Sequence, residues 1–277
     1  MSENRDQDVI RGAVRDRYAE IATTGSSCCG GSSCCGTSSV GGDGDWEYLG
    51  RKTGLERSLK LGYSEDELSA APEGANLGLG CGNPQAIAGL KPGEVVVDLG
   101  AGGGFDCFLA ARAVGPTGRA IGVDMTPEMV RRAREIARES GYEHVDFRLG
   151  EIEHLPVADA TADVIISNCV INLSPDKPAV YAEAFRVLKP GGRLAVSDVV
   201  ATAELPAEWK KDMALHCTCI SGASLVSEVE AMLRAAGFVD ISVSPKDQSR
   251  EFIGTWEPGY NLDDYVLSAN ILATKPR

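Results

Sequence analysis

Residues 95–107 read VVVDLGAGGGFDC, a run of apolar β-branched residues that meets an acid and then a cluster of glycines. An apolar run without polar alternation suits a strand buried on both faces, as in a parallel sheet covered by helices. Gly100, Gly102 and Gly104 fall at alternate positions where the chain must turn from strand to helix. Without side chains there, backbone can approach a ligand closely. A dinucleotide fingerprint needs glycine or alanine at its sixth position. Counted from Gly100 that position is Phe105, and from Gly102 it is Cys107, so a nicotinamide cofactor is disfavoured.

Outward from this turn, short apolar strands alternate with helices. Further strands are predicted at Ala120–Val123, Val145–Leu149, Val164–Ser167 and Leu194–Ser197, with a final pair near Val239–Ser244 and Tyr265–Thr274. Such alternation defines an α/β fold. The clearest helix has Thr126 as N-cap, Pro127 at its first position, an apolar stripe of Met129, Ala133, Ile136 and Ala137, and Gly141 as terminator. A second runs from about Pro178 to Leu188 and ends in KPGG, and a third covers Ser227 to Ala236. There is no internal repeat. Upstream, Ile10, Val14, Tyr18 and Ile21 form one stripe on an N-terminal helix. The tract GSSCCGGSSCCGTSSVGGDGD that follows cannot bury a core and reads as a flexible arm. The expected organisation is a helix over 1–24, the arm over 25–45, a connecting segment over 46–90, a ligand-binding core over 91–200, and an insertion with the last helix and strands over 201–277.

The chain has 277 residues, 43% hydrophobic and 24% charged, enough to bury a substantial core. Its formal net charge of −13 repels phosphate backbones and anionic lipid, so neither nucleic acid nor membrane is expected as a partner. Arg131, Arg132, Arg134 and Arg138 interleave with Glu135 and Glu139, the pattern of a solvated helix face. No stretch approaches the ~20 apolar residues of a membrane span, and the N-terminus lacks a signal-peptide core, so a cytoplasmic location is expected. Nine cysteines, an odd number, do not suit a closed set of structural disulfides and point to reduced thiols. Cys28, Cys29, Cys34 and Cys35 do not follow zinc spacing.

Asp124 ends the second strand twenty residues after Gly104, where a carboxylate can accept hydrogen bonds from ribose hydroxyls. The third strand runs into GEIE, where Ile152 and Glu153 are placed to flank and bond an adenine. Together with SNC at the fourth strand's end and RVLKPGG before the fifth, these motifs resemble the class I S-adenosylmethionine methyltransferases. The resemblance implies a seven-stranded sheet with its last strand antiparallel. It also implies S-adenosylmethionine held by Asp98, Gly100, Gly102, Gly104, Asp124, Met125, Ile152, Glu153 and Asn168.

The segments GANLGLGCGNP, DLGAGGGFDC, GVDMTPEM, SNCVINLSPDK and CISGA look more narrowly like the arsenite methyltransferases, from about Tyr63 to Asp198 and again at CISGA. In that family three cysteine thiolates hold trivalent arsenic facing the sulfonium methyl. Motif by motif these are Cys81, Cys169 and Cys219. Arsenic(III) is soft and prefers sulfur, and three sulfurs leave one lone pair to attack. Cys169 sits at a strand's carboxyl end beside the cofactor crevice, and exposure in a glycine loop would suit Cys81 as a ligand. Cys107 reads as packing on the sheet. His144, His154 and His216 have no role, because arsenic loses no proton in the step.

CISGA aligns with Cys219, which leaves Cys217 as a packing residue or spare thiol. In a helix the two would point about 200° apart, and in an extended segment they would share a face. The resemblance further implies arsenite and methylarsenite as acceptors and a thiol reductant such as thioredoxin or glutathione. It assigns to one of Cys28, Cys29, Cys34 and Cys35 the capture of arsenic or a transient disulfide with Cys81. A monomer is expected. Two rivals are a carbon, oxygen or nitrogen methyltransferase with incidental cysteines, and a non-catalytic thiol-rich metalloid-binding protein.

Overall fold

The computed structural model describes residues 2–24, 55–257 and 259–277. Cys28, Cys29, Cys34 and Cys35, with the rest of the expected arm, lie outside the described residues. Seven strands form one sheet in the order β3-β2-β1-β4-β5-β7-β6. They are β1 (Val95–Leu99), β2 (Arg119–Asp124), β3 (Val145–Leu149), β4 (Ala162–Asn168), β5 (Leu188–Ala201), β6 (Val239–Pro245) and β7 (Val266–Thr274). The first five pair in parallel, and β7 runs antiparallel between β5 and β6. This is the sheet expected of a class I methyltransferase. The chain reverses its strand order between β1 and β4, and ligands of open α/β sheets bind at the carboxyl ends beside such a switch.

The helices are α1 (Ser2–Thr24), α2 (residues 55–60), α3 (Glu65–Ala70), α4 (Gln85–Ala88), α5 (Phe105–Val114), α6 (Pro127–Glu139), α7 (Lys177–Val187), α8 (Met213–Cys217), α9 (Val226–Ala236) and α10 (Arg250–Ile253). Val97, Leu99, Ile121, Ile165, Leu194 and Val196 fill one side of the sheet against Val180 and Leu233. On the other side Val96, Ala120, Val164 and Ile166 meet Cys107, Phe108 and Ala111 of α5. Cys107 is therefore core, fully buried in that layer.

Helix α6 ends in a Schellman motif: Gly141, at φ +71°, follows the C-cap, and the Tyr142 N–H donates to the Ala137 carbonyl at 2.9 Å. Its other end differs from expectation. Thr126 occupies the N-cap but makes no side-chain cap bond, because Asp124 accepts from the Thr126 N–H at 2.8 Å and draws its hydroxyl as well. A carboxylate is the stronger acceptor. The segment KPGG does not close a helix either. Helix α7 stops at Val187, and Leu188 already pairs with Ala162, so β5 starts six residues earlier than its apolar run.

Helix α1 is longer than its stripe, and Val14 and Ile21 are buried where it crosses the molecule. Among the described residues no helix is long and apolar enough to cross a membrane.

Candidate active site

A cleft opens over the carboxyl ends of β1, β2 and β4, lined on one side by Arg11, Val14 and Tyr18 of α1. Asp98, Gly100, Gly102, Asp124, Met125, Ile152, Glu153, Asn168 and Cys169 all line it. Gly104 does not. Its φ is +90° and a Cβ there would sit 2.6 Å from the Phe147 ring, so it serves packing. At Gly102, φ +52°, a Cβ would meet nothing within 4 Å, which leaves its face toward the cleft open. The Gly102 N–H donates to Asp124 at 2.9 Å, so Asp124 ties the glycine turn to β2 in addition to facing the cleft.

The cleft is acidic. Burial pushes the Asp98 carboxyl well up, helped by repulsion from Asp106 and Asp124, and burial pushes Asp124 up as well. Glu153 is buried, not solvated: it accepts from the Ser174 hydroxyl at 2.6 Å and faces Arg11 at 3.4 Å. Neighbouring buried carboxylates are costly unless a cation offsets them. S-adenosylmethionine carries a sulfonium and an ammonium, so this donor set fits it.

The sequence reading missed Tyr63 and Asp106. The Tyr63 hydroxyl donates to Asp106 at 2.8 Å, and Asn168 Nδ2 donates to Tyr63, to the Gly82 carbonyl and to Asp106 at 2.9, 2.8 and 3.1 Å. Asn168 Oδ1 accepts from the Cys81 N–H at 3.0 Å. The amide of Asn168 is thus shared between clamping the Cys81 loop onto the end of β4, through Cys81 and Gly82, and bonding Tyr63 and Asp106. A Cβ on Gly80 would come within 2.5 Å of that amide, so the loop needs glycine there to close. Burial raises the Asp106 carboxyl to about 6 against the donors Tyr63, Asn168 and Gln85.

Three cysteines lie together at the cleft floor, Cys81 and Cys219 each beside Cys169. Cys81, Cys169 and Cys219 are 1%, 6% and 2% exposed. Cys81 is therefore not an exposed loop thiol: the Ser268 hydroxyl donates to its carbonyl at 2.8 Å and its Sγ reaches the Ser197 carbonyl at 3.6 Å. The Cys169 sulfur hydrogen-bonds with both Cys81 and Cys219. Cys169 and Cys219 lie at φ +59° and +67°, a left-handed conformation that costs a non-glycine residue on the order of 1–3 kcal/mol. Helix α8 ends at Cys217, Thr218 is its C-cap, and the left-handed turn carries Cys219 back to donate to the Cys169 carbonyl at 3.0 Å. The segment is thus neither wholly helical nor extended. Cys217 is half-buried, and its carbonyl faces Tyr18 of α1.

Asp198, also missed, is 2% exposed on β5, and a carboxylate oxygen lies within 4.8 Å of the Cys81 and Cys169 sulfurs, as those lie of each other. An acid in the apolar strand LAVSDVVA was the signal available in the sequence. Burial pushes the Asp198 carboxyl up to about 6, opposed by the N–H groups of Val199 and Ile171. Burial pushes the Cys81 thiol well up, and the Cys219 sulfur does the same to Cys169, so the site presents protonated thiols. Lys246 near Cys81 opposes this weakly.

Two outcomes follow from these contacts. Asp124→Ala should weaken S-adenosylmethionine binding by ~1.5–3 kcal/mol, the worth of hydrogen bonds to a charged group. Calorimetry on the folded variant tests it, and unchanged affinity would remove Asp124 from the ribose. Asp198 has a higher carboxyl pKa folded than unfolded, so it adds stability as pH falls through about 6 toward its unfolded value. The melting temperature of wild type relative to Asp198→Asn should therefore rise between about pH 7.5 and pH 5. A difference flat with pH would contradict the assignment.

Sheet order, cleft and glycine turn define a class I S-adenosylmethionine-dependent methyltransferase, and residues 90–237 match the family model described as a methyltransferase domain. The chain is 50% identical over 276 residues to the arsenite methyltransferase of Halobacterium salinarum, covering 100% of this chain and 69% of that one. It is 39% identical over 152 residues to the human arsenite methyltransferase, covering 52% of this chain and 40% of that one. An arsenic(III) S-adenosylmethionine methyltransferase from Chlamydomonas reinhardtii superposes with a TM-score of 0.59 at 32% identity, over 80% of this chain and 73% of that one. The chain belongs to the arsenite methyltransferases.

Proposed function

We propose that this enzyme methylates arsenite and methylarsenite held by Cys81, Cys169 and Cys219. The observation that carries the reading is a row of three buried thiols at the end of β4, Cys81 and Cys219 each beside Cys169, with Cys169 itself lining the cofactor cleft. Each arsenic–sulfur bond replaces an arsenic–oxygen bond, and the thiol proton leaves with the hydroxyl as water. Neutral arsenous acid enters without repulsion from the acidic protein. S-adenosylmethionine supplies an electrophilic methyl group to the arsenic lone pair. Asp98, Gly102, Asp124, Met125, Ile152 and Glu153 hold and orient that donor, while Asn168 fixes the Cys81 loop beside it. Holding both reactants in line is worth ~7–11 kcal/mol of barrier.

Methyl transfer raises arsenic to the pentavalent state. Two thiols closing to a disulfide return two electrons to it, and one of Cys28, Cys29, Cys34 and Cys35 paired with Cys81 is our candidate. A thiol reductant of the thioredoxin or glutathione type then reopens the bond. The reduced site cysteines suit a reducing compartment, the cytoplasm, and a site built within one chain suits a monomer.

The test is arsenite with and without S-adenosylmethionine and thiol, followed by product analysis. Methylated arsenic is expected. Binding without methyl transfer would favour a metalloid buffer, and neither would favour another acceptor.

A further inference from the structure

We propose that Asp198 is the group of the acceptor site that reads hydroxyl: its carboxylate accepts a hydrogen bond from an arsenic-bound hydroxyl while Cys169 and Cys219 displace the other two. This rests on the acceptor reading above. A carboxylate oxygen and the sulfurs of Cys81 and Cys169 lie within 4.8 Å of one another, whereas Cys219 joins through Cys169. The preassembled face is therefore two sulfurs and one oxygen acceptor, not three sulfurs. Trivalent arsenic arrives as a hydroxide, a hydrogen-bond donor that thiols bind poorly before exchange.

The turn after Cys169 accounts for only part of Asp198. Oδ2 accepts from the Ile171 N–H at 2.9 Å, and Oδ1 accepts from Asn172 Nδ2 at 3.0 Å and the Val199 N–H at 2.7 Å. These fill three of about four lone-pair positions on a carboxylate. Anchoring a turn does not need a charge, and although the Lys177 ammonium offsets part of the Asp198 charge, its own hydrogen bonds go to the Gly222 carbonyl and the Ser224 hydroxyl and not to the carboxylate. A polar substrate hydroxyl gives that position a partner during capture. Cys81 then forms the third arsenic–sulfur bond, its proton leaves with the anchored hydroxyl as water, and nothing is oxidised or reduced.

The experiment compares arsenite supplied free with arsenite supplied as its tris-glutathione complex, which bears no hydroxyl. In Asp198→Asn the acceptor oxygen is partly replaced by a donor amide. The loss in kcat/KM on free arsenite should exceed the loss on the glutathione complex by about tenfold or more. A merely structural defect lowers both in the same proportion, and that result would overturn the proposal. Wild type inactive on both forms would instead sink the acceptor reading itself. Should Asp198→Asn not fold, a crystal structure of Cys81→Ser with arsenite decides. Arsenic on Cys169 and Cys219 keeps one hydroxyl, expected about 2.7 Å from an Asp198 oxygen. A hydroxyl directed elsewhere would refute the assignment.

Discussion

Cys219→Ser protein will be inactive on methylarsenite, at least ~100-fold below wild type, whereas Cys217→Ser will stay close to it. The two thiols are two residues apart but are separated by the end of α8. The left-handed turn at Cys219 brings its sulfur to Cys169, while the Cys217 carbonyl faces Tyr18 on α1. Serine cannot replace sulfur as a soft ligand, so the loss at Cys219 should be chemical rather than structural. Thermal melts of both variants separate the two causes. If Cys217→Ser is the inactive one, the turn does not select the ligand. Partial loss in both would mean that the thiols substitute for each other.

Cys81→Ser should lose methylation of arsenite by ~100-fold and keep activity on methylarsenite within a few-fold. Arsenite has three exchangeable positions and methylarsenite two, and Cys169 with Cys219 already form a hydrogen-bonded pair. With an oxygen in the third position, electron density is withdrawn from the arsenic lone pair. The variant should hold its shape, because the Cys81 loop is fixed by its backbone: N–H to Asn168 Oδ1 and carbonyl from the Ser268 hydroxyl. Rates on the two substrates, measured side by side, give the answer. Equal loss on both would show that Cys81 is needed for every acceptor and that the division between an inner pair and a third ligand is wrong.

The fold class and the cofactor end of the cleft were legible in the chain because their signals are local. An apolar strand, the glycines of the turn after it, and Asp124 at the end of β2 are read from residues within a single βαβ unit. The proposal of Cys81, Cys169 and Cys219 as ligands came from resemblance in short motifs, which carry chemistry but not distance. Tertiary structure alone decided the rest. Cys81 reaches Ser197 across 116 positions and Cys219 reaches Cys169 across 50. No periodicity shows that a glycine loop will be buried, or that one asparagine will clamp it. In the sequence Asp198 is one acid within an apolar strand. Pairing of β4 with β5 places it beside Cys169, because side chains on neighbouring strands become neighbours through register, a long-range property, and the loop held by Asn168 and Ser268 brings Cys81 to the same spot.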